Sequence, residues 1–282
     1  DPKNRDLYAL WALSDTSAFA LGKDGALIEF KGKKWGVRDI DGTYMKTATF
    51  RAAWGMIDKA GAGAGYAVGD AGAGLRYDPL KNRWEDKRAE TAAHVLSTRK
   101  LADGRIVAVG GSGLLLTAAD ISAPFVDLGV DVTGVDLEDA CDDGNGGVWA
   151  VGDGGLVVHV AADGTTTIDK PQAASGLRLR GVTKIGETIV AVGVGGVAIA
   201  HKAGSWSSEA TGVQFDLHAI AVDGATALAV GAFGTILRRG SDGTWQKENS
   251  GGSTPLHRVV VWNGGEAVAV GDNGLIISRN PA

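Results

Sequence analysis

The sequence contains a single cysteine, Cys141, and only two methionines among its 282 residues. One thiol cannot form a disulfide within the chain, and it cannot supply the paired cysteines of a zinc finger. Disulfide-stapled domains and cysteine-based metal centres are therefore excluded.

Dense positive charge and long apolar stretches are also absent. The formal net charge is −5, and no block of lysine and arginine exceeds a few residues. Because phosphate backbones are bound by dense basic surfaces, we expect no nucleic-acid partner. The longest uncharged apolar run, residues 188–200, is shorter than the roughly 18 residues that a membrane-spanning helix needs, so we expect no membrane span.

Glycine is abundant, with 44 residues, and it recurs in a fixed pattern. The pattern apolar-x-Gly-x-x-Gly-x-apolar, the glycine motif, occurs seven times along the chain. Its first glycines are Gly22, Gly69, Gly110, Gly152, Gly193, Gly231 and Gly271. Successive first glycines are 38 to 47 residues apart, so seven units of similar length cover the whole chain. Such internal periodicity indicates a repeat architecture.

Each unit reads as four short strands. An apolar strand such as "LHAIAV" precedes the glycine motif, and a third strand and a tryptophan-containing fourth strand such as "SWSS" follow it. Four strands with frequent turns are typical of a β-propeller blade. We predict an all-β protein in which residues 1–282 form one seven-bladed β-propeller with four antiparallel strands per blade. Only one strand follows the last motif, so blade seven is either three-stranded or closed by the N-terminal residues 1–6.

The glycine-rich segments can be interpreted in two ways, as tight hairpins or as a phosphate-binding loop. Its two glycines flank a tight hairpin, where positive φ is common and glycine adopts it without a Cβ clash. Ala232-Phe233 suits such a hairpin poorly, so we expect that turn to differ. The glycine-rich stretch 61–74 invites comparison with a phosphate-binding loop, but a strand follows it, whereas such loops need a helix N-terminus. We therefore expect no nucleotide and no other cofactor.

The repeat resembles a known group of propellers. "AVGxxGxI" followed by a Ser/Asp-Gly-x-Trp turn is similar to the photosystem II stability/assembly-factor-like propellers and to their relatives with sialidase-type Asp-box (BNR) repeats. Only "SDGTW" at 241–245 approaches an Asp box, and it is one residue short. The resemblance implies a propeller fold and points toward protein or peptide clients, but its motifs specify a blade and not an activity.

Ligands of propellers usually bind at the channel mouth, where the innermost strands begin. Counting back 13 or 14 residues from the first motif glycine, with a longer connection assumed in blades two and three, gives one polar residue per blade. These predicted ring residues are Tyr8, Arg51, His94, Glu138, Arg180, His218 and His257. Arginine suits carboxylates or phosphates because its guanidinium is a planar double donor.

The ring has two interpretations of equal weight, ligand contact and structural hydrogen bonding within the channel mouth. A zinc site is disfavoured because His94 enters from across the channel and no fourth ligand is evident. We expect no metal at this position.

The leading hypothesis for function is a non-catalytic binding or scaffold protein with a protein or peptide client. The alternatives are a glycan-binding lectin-like protein and a sialidase-like glycoside hydrolase. The hydrolase needs an arginine triad, and only Arg51 and Arg180 are in register. We expect a monomer, and the acidic, lysine-poor composition leads us to expect an extracytoplasmic bacterial protein that is periplasmic, secreted or at the cell surface.

Overall fold

The computed structural model describes residues 4–14, 17–40, 44–57, 63–88, 92–120, 123–224, 226–262 and 265–279. The chain forms seven antiparallel sheets, so the prediction of a seven-bladed β-propeller is confirmed. Within each sheet the strands follow one another in chain order, from the innermost strand at the hub to the outer edge. No helix in the described ranges is long and apolar enough to cross a bilayer.

The strands of each blade have the following bounds. Blades one and two contain β1 (Leu7–Ser14), β2 (Ser17–Gly22), β3 (Leu27–Lys31), β4 (Lys34–Val37), β5 (Phe50–Ile57), β6 (Gly63–Gly69), β7 (Gly74–Asp78) and β8 (Arg83–Asp86). Blades three and four contain β9 (Val95–Lys100), β10 (Ile106–Gly110), β11 (Leu115–Ala118), β12 (Val126–Asp127), β13 (Leu137–Asp142), β14 (Val148–Gly152), β15 (Val157–Val160) and β16 (Thr166–Asp169). Blades five, six and seven contain β17 (Leu179–Ile185), β18 (Thr188–Gly193), β19 (Ala198–Lys202), β20 (Ser205–Ser208), β21 (Leu217–Asp223), β22 (Thr226–Gly231), β23 (Ile236–Arg239), β24 (Trp245–Glu248), β25 (Leu256–Trp262), β26 (Glu266–Gly271) and β27 (Ile276–Arg279).

Short 3-10 helices join the second and third strands of every blade. They span Lys23–Gly25, Asp70–Gly72, Gly111–Gly113, Asp153–Gly155, Val194–Gly196, Ala232–Gly234 and Asp272–Gly274. Two more, Tyr44–Lys46 and Gln172–Ala174, lie in the connections that enter blades two and five.

Apolar side chains fill the spaces between neighbouring blades. The second strand of each blade ends in alanine followed by valine or leucine directly before the first motif glycine, and all of these side chains except Val68 are almost fully buried. Small alanines on one face let the next sheet approach closely while the larger side chains fill the gap. The ring closes in the same way, because Leu10 and Ala20 of blade one pack in one cluster with Val268 and Val270 of blade seven.

The turn within the glycine motif differs from the hairpin predicted for it. Its first glycine is in extended backbone, and a Cβ on Gly152 would lie 2.1 Å from the carbonyl oxygen of Asp136. The first glycine is therefore required by close approach rather than by positive φ. Positive φ occurs instead at the second and third residues after it, such as Gly154 (68°) and Gly155 (79°).

The expectation that the Ala232-Phe233 turn would differ is wrong. It forms the same 3-10 helix as the others, with Phe233 at φ 54°. Asn273 has the same φ of 54° at the equivalent position of blade seven. Phe233 is thus held in a left-handed conformation that bulky residues rarely adopt.

Blade seven has three strands within the described residues, which confirms one of the two predicted alternatives. The other alternative, closure by residues 1–6, falls partly outside the described residues, since these begin at residue 4. Asp6 nevertheless contacts blade seven, because its Oδ1 accepts a hydrogen bond from the backbone N–H of Asn273 at 3.1 Å.

Candidate functional site

Each of the seven inner strands carries a β-bulge at its second residue. The pairing with the neighbouring strand skips one residue at Tyr8, Arg51, Leu96, Glu138, Arg180, His218 and His257. A bulge inserts one unpaired residue into a strand and redirects its side chain. The repeated bulge therefore places one side chain per blade around the channel mouth.

These side chains line one cavity of about 130 Å³ at the hub, which we call the hub cavity. Six of the seven predicted ring residues line it: Tyr8, Arg51, Glu138, Arg180, His218 and His257. Leu96 and Arg258 complete the lining. The volume is sufficient for a carboxylate or a similarly small polar group.

His94 is the one predicted ring residue that the structure places elsewhere. In blade three, the carbonyl oxygen of His94 accepts a hydrogen bond from the N–H of Gly111. The equivalent acceptor in blade four is the carbonyl oxygen of Asp136, which lies two residues before the bulged Glu138. His94 therefore precedes the bulge by two residues, and its side chain is 60% exposed. The longer connection assumed for blade three was wrong, because the count of 14 residues that fits blades one, four and seven leads to Leu96.

Aromatic and cationic side chains form a continuous row along one side of the hub cavity. The guanidinium of Arg51 lies 4.8 Å from the ring centre of Tyr8, within cation–π range. The Tyr8 ring lies 4.8 Å from that of His257, which in turn stacks on His218 at 5.2 Å. This row spans blades two, one, seven and six.

Carboxylates behind the row hold two of its members in place. Asp70 accepts two hydrogen bonds from Arg51, at 2.9 and 2.8 Å, and contacts His94 Nδ1 at 3.0 Å. Burial alone would raise the pKa of Asp70, but the hydrogen bonds and charges of Arg51 and His94 lower it below its usual value. Asp272 contacts His257 Nε2 at 2.5 Å. The charge of Arg51 is thus already balanced within the protein.

Arg180 is less completely paired than Arg51. Its Nη2 lies 3.5 Å from Asp216 Oδ2, beyond good hydrogen-bond distance, and the other oxygen of Asp216 accepts the N–H of Gly195 at 2.9 Å. In the described part of the chain, the Nε of Arg180 is buried and has no hydrogen-bond partner. A buried donor without an acceptor is costly, so this nitrogen favours an incoming oxygen.

Glu138 and His218, which also line the cavity, have pKa values that are shifted toward their neutral forms. Burial raises the pKa of Glu138, although Arg178, at 3.2 Å, and Arg180 oppose this shift. Burial also lowers the pKa of His218, whose Nδ1 donates to the carbonyl of Leu256 at 2.9 Å. The cavity therefore favours anions, because its arginines stay charged while its carboxylate is the group whose charge burial disfavours.

Arg258 forms the floor of the hub cavity, and sequence reasoning missed it. Its guanidinium donates toward the backbone carbonyls of Tyr8, Arg51 and Leu96 at 3.2 to 3.4 Å, across the channel. Burial lowers its pKa, while the charge of Asp139 opposes this effect. The signal in the sequence was a lone charge inside the apolar strand "LHRVVV".

Among the described residues, no group of three His, Cys, Asp or Glu side chains is arranged to hold a metal ion. The hub histidines instead contact each other, the backbone or Asp272.

Solved structures with the same fold include both a peptide-binding protein and an enzyme. YCF48 bound to D1 peptide matches with a TM-score of 0.77 and 13% identity over 99% of this chain and 94% of that one. YCF48 from Cyanidioschyzon merolae matches at 0.72, with 15% identity and coverage of 99% and 96%. Virginiamycin B lyase from Staphylococcus aureus matches at 0.78, with 15% identity and coverage of 97% and 94%.

No family model matches this chain, and no curated protein does. The fold implied by the resemblance to assembly-factor-like propellers is confirmed. At these identities the likeness shows the fold alone, and that fold is shared by a lyase, so it does not decide between enzyme and binding protein.

Proposed function

We propose that this propeller is a non-catalytic binding protein that holds a protein or peptide client on its channel-mouth face. In this proposal an acidic group of the client enters the hub cavity. The observation that carries it is that Arg180 lines the cavity while its buried Nε has no acceptor within the described residues. A client carboxylate would supply that acceptor as a charge-assisted hydrogen bond.

An exposed aromatic pair on the same face supports a peptide rather than an isolated anion. Phe215 precedes Asp216 in the connection that enters blade six, and its ring lies 4.8 Å from that of Phe233. Both side chains are substantially exposed, at 40% and 63%. Backbone strain and exposed aromatic surface are often found at binding sites, and Phe233 combines the two.

One of the compared structures supports a peptide client. One protein of the same fold has been solved with a bound peptide. Its 13% identity transfers no residue roles to this chain, so the argument rests on the hub cavity and on the aromatic pair.

The sialidase-like alternative gains one residue from the structure. Arg258 adds a third arginine to Arg51 and Arg180 around one cavity. However, Arg51 is engaged by Asp70 and Arg258 by backbone carbonyls, whereas Arg180 has a buried donor with no partner among the described residues. Tyr8 Oη lies 3.3 Å from Asp6, and burial raises its pKa, which disfavours its use as a nucleophile. These contacts favour binding over hydrolysis.

The test is a binding screen with three variants. Arrays of peptides with free C-terminal carboxylates, C-terminal amides and internal acidic residues are probed beside a glycan array. Arg180→Gln should weaken binding of acidic peptides at least tenfold, because it removes the charged donor. Phe233→Asn should weaken it severalfold without loss of thermal stability, since Asn273 adopts the same φ. Arg83→Gln, at an exposed position of strand β8, is the control and should bind as wild type.

Three results would contradict the proposal. The first is that wild type and Arg180→Gln bind acidic peptides equally well. The second is that the protein binds glycans selectively and not peptides. The third is that the protein hydrolyses fluorogenic sialosides and that Arg180→Gln abolishes this turnover.

A further inference from the structure

A second, larger cavity lies beyond Arg258, on the side where the inner strands end. It has a volume of about 400 Å³, which is within the range of small-molecule sites. The inner strands β25, β1, β5 and β9 line it, from blades seven, one, two and three. Because Arg258 lines both cavities, its side chain separates this distal cavity from the hub cavity.

The distal cavity is positively charged. Arg99 and Lys100 line it together with Arg258, and no acidic side chain is among its described lining residues. Arg99 uses its Nε and Nη2 to bind Asp139, at 3.2 and 2.7 Å, and 31% of its side chain remains exposed. In a protein of net charge −5, three cations around one concave site are a local reversal of sign that favours anions.

The walls of the distal cavity are aromatic. Trp54 and Trp262, both partly exposed, line it, and Trp11, which also lines it, is only 5% exposed and packs between blades one and two. Gly55 and Gly65 make room for the Trp11 ring, since a Cβ on either would lie 2.4 Å or less from that ring. Flat apolar walls of this kind accept a flat apolar ligand.

A buried donor without a partner points to the ligand. Within the described residues, the indole Nε1 of Trp262 is buried and donates no hydrogen bond. Indole N–H groups normally find an acceptor when they are buried. A ligand oxygen would satisfy it, and the nearby cations would favour a negatively charged oxygen.

We propose that the distal cavity is a binding site for a small organic anion, in which a carboxylate bonds Trp262 Nε1 and pairs with the cations while a flat apolar body lies against Trp54 and Trp262. This site is separate from the hub cavity and does not depend on the function proposed for the channel mouth.

The experiment uses 1-naphthoate and its neutral analogue 1-naphthylmethanol as probes, titrated into the whole chain by calorimetry. We expect saturable binding of 1-naphthoate that is at least tenfold tighter than binding of the alcohol. Trp262→Phe keeps the apolar bulk and removes the donor, so it should bind 1-naphthoate at least tenfold more weakly. Its melting temperature without ligand should equal or exceed that of wild type, because an unpaired buried donor has been removed.

Two further variants separate the distal cavity from other sites. Lys100→Gln should weaken 1-naphthoate binding severalfold, and Arg180→Gln in the hub cavity should leave it unchanged. The proposal is overturned if 1-naphthoate does not saturate, if the alcohol binds equally well, if Trp262→Phe binds normally, or if Arg180→Gln abolishes binding.

Discussion

The side chain of Asp139 is fully buried, yet it is surrounded by donors that favour its charged form. Ser97 Oγ donates to it at 2.6 Å, Arg99 at 2.7 and 3.2 Å, and the backbone N–H of Val182 at 3.1 Å. Burial would raise the pKa of Asp139, but the charges of Arg99 and Arg258 and these hydrogen bonds outweigh it and lower the pKa. At the residue scale, this carboxylate is what allows two arginines to lie inside the channel.

Removing that charge should be among the most destabilising single changes in the protein. Asp139→Asn leaves Arg99 and Arg258 without their counter-charge, and breaking such a buried pair costs about 3–5 kcal/mol. Urea unfolding at pH 7 measures this difference. Asp39→Asn, at an exposed position, is the matched control and should change stability by less than about 0.5 kcal/mol. A loss below about 1 kcal/mol for Asp139→Asn would contradict this electrostatic account.

The same carboxylate predicts a pH dependence. Because the folded-state pKa of Asp139 is lowered, its stabilisation is complete above the ordinary value of 3.8 and is lost as the pH falls through the folded-state pKa. The stability difference between wild type and Asp139→Asn should therefore be constant from pH 7 to pH 5 and shrink below about pH 4. Urea unfolding at pH 7, 5 and 3 tests this. A difference that stays constant down to pH 3 would exclude Asp139 as its source.

At the scale of the element, the glycine motif joins sequence to architecture. Its first glycine lets the turn contact the connection that enters the same blade, with only 1.9 to 2.1 Å between a hypothetical Cβ and that connection's carbonyl oxygen. The N–H of the following residue then donates to this same carbonyl in all seven blades. The motif therefore fixes where each inner strand begins, and so where the bulged hub residue lies.

A pair of substitutions separates close approach from backbone conformation. Gly152→Ala should destabilise by about 3 kcal/mol, because its Cβ would overlap the carbonyl of Asp136 and the turn must move. Gly154→Asn, only two residues away, should cost less than about 1 kcal/mol, because nothing lies within 4 Å of its Cβ and asparagine tolerates positive φ. Thermal and urea unfolding compare the two. Equal effects would mean that φ rather than steric contact selects the glycine.

Much of this element could be predicted from the sequence. The repeat gave the number of blades, the strand order and six of the seven positions around the hub, because the motif spacing is tied to a constant turn. The bulge itself was not predictable, because the inner strands are mostly apolar on both faces and the one-residue shift in alternation that a bulge causes leaves no mark on such a sequence. His94 was misplaced because a longer connection was assumed in blade three, whereas the structure has Leu96 at the bulge. The Arg258 side chain points into the channel because of how strand β25 pairs with its neighbour, and the sequence of β25 alone does not specify that pairing.

At the scale of the whole molecule, the ring closes by side chains rather than by a shared sheet. In six blades the third strand is covered by a fourth, whereas β27 of blade seven pairs only with β26 among the described strands. Contacts from other blades compensate. Arg258 reaches backbone carbonyls of blades one, two and three, and Arg279 of β27 donates to Glu248 of β24 in blade six at 2.8 and 3.0 Å.

Blade seven should consequently be the first part of the ring to open. Strands with few covering hydrogen bonds open locally at a lower free energy than the global unfolding reaction. We expect amides of β27 to exchange with solvent on the order of tenfold faster than those of β15 and β19, the third strands of blades four and five. Glu248→Gln should speed exchange in β27 a further few-fold, since a partly exposed ion pair contributes up to about 1 kcal/mol. Glu187→Gln, at an exposed hairpin position, should leave it unchanged. Hydrogen exchange read by mass spectrometry decides the matter: equal protection of β27, β15 and β19 would mean that the three-stranded blade is held as firmly as the four-stranded ones.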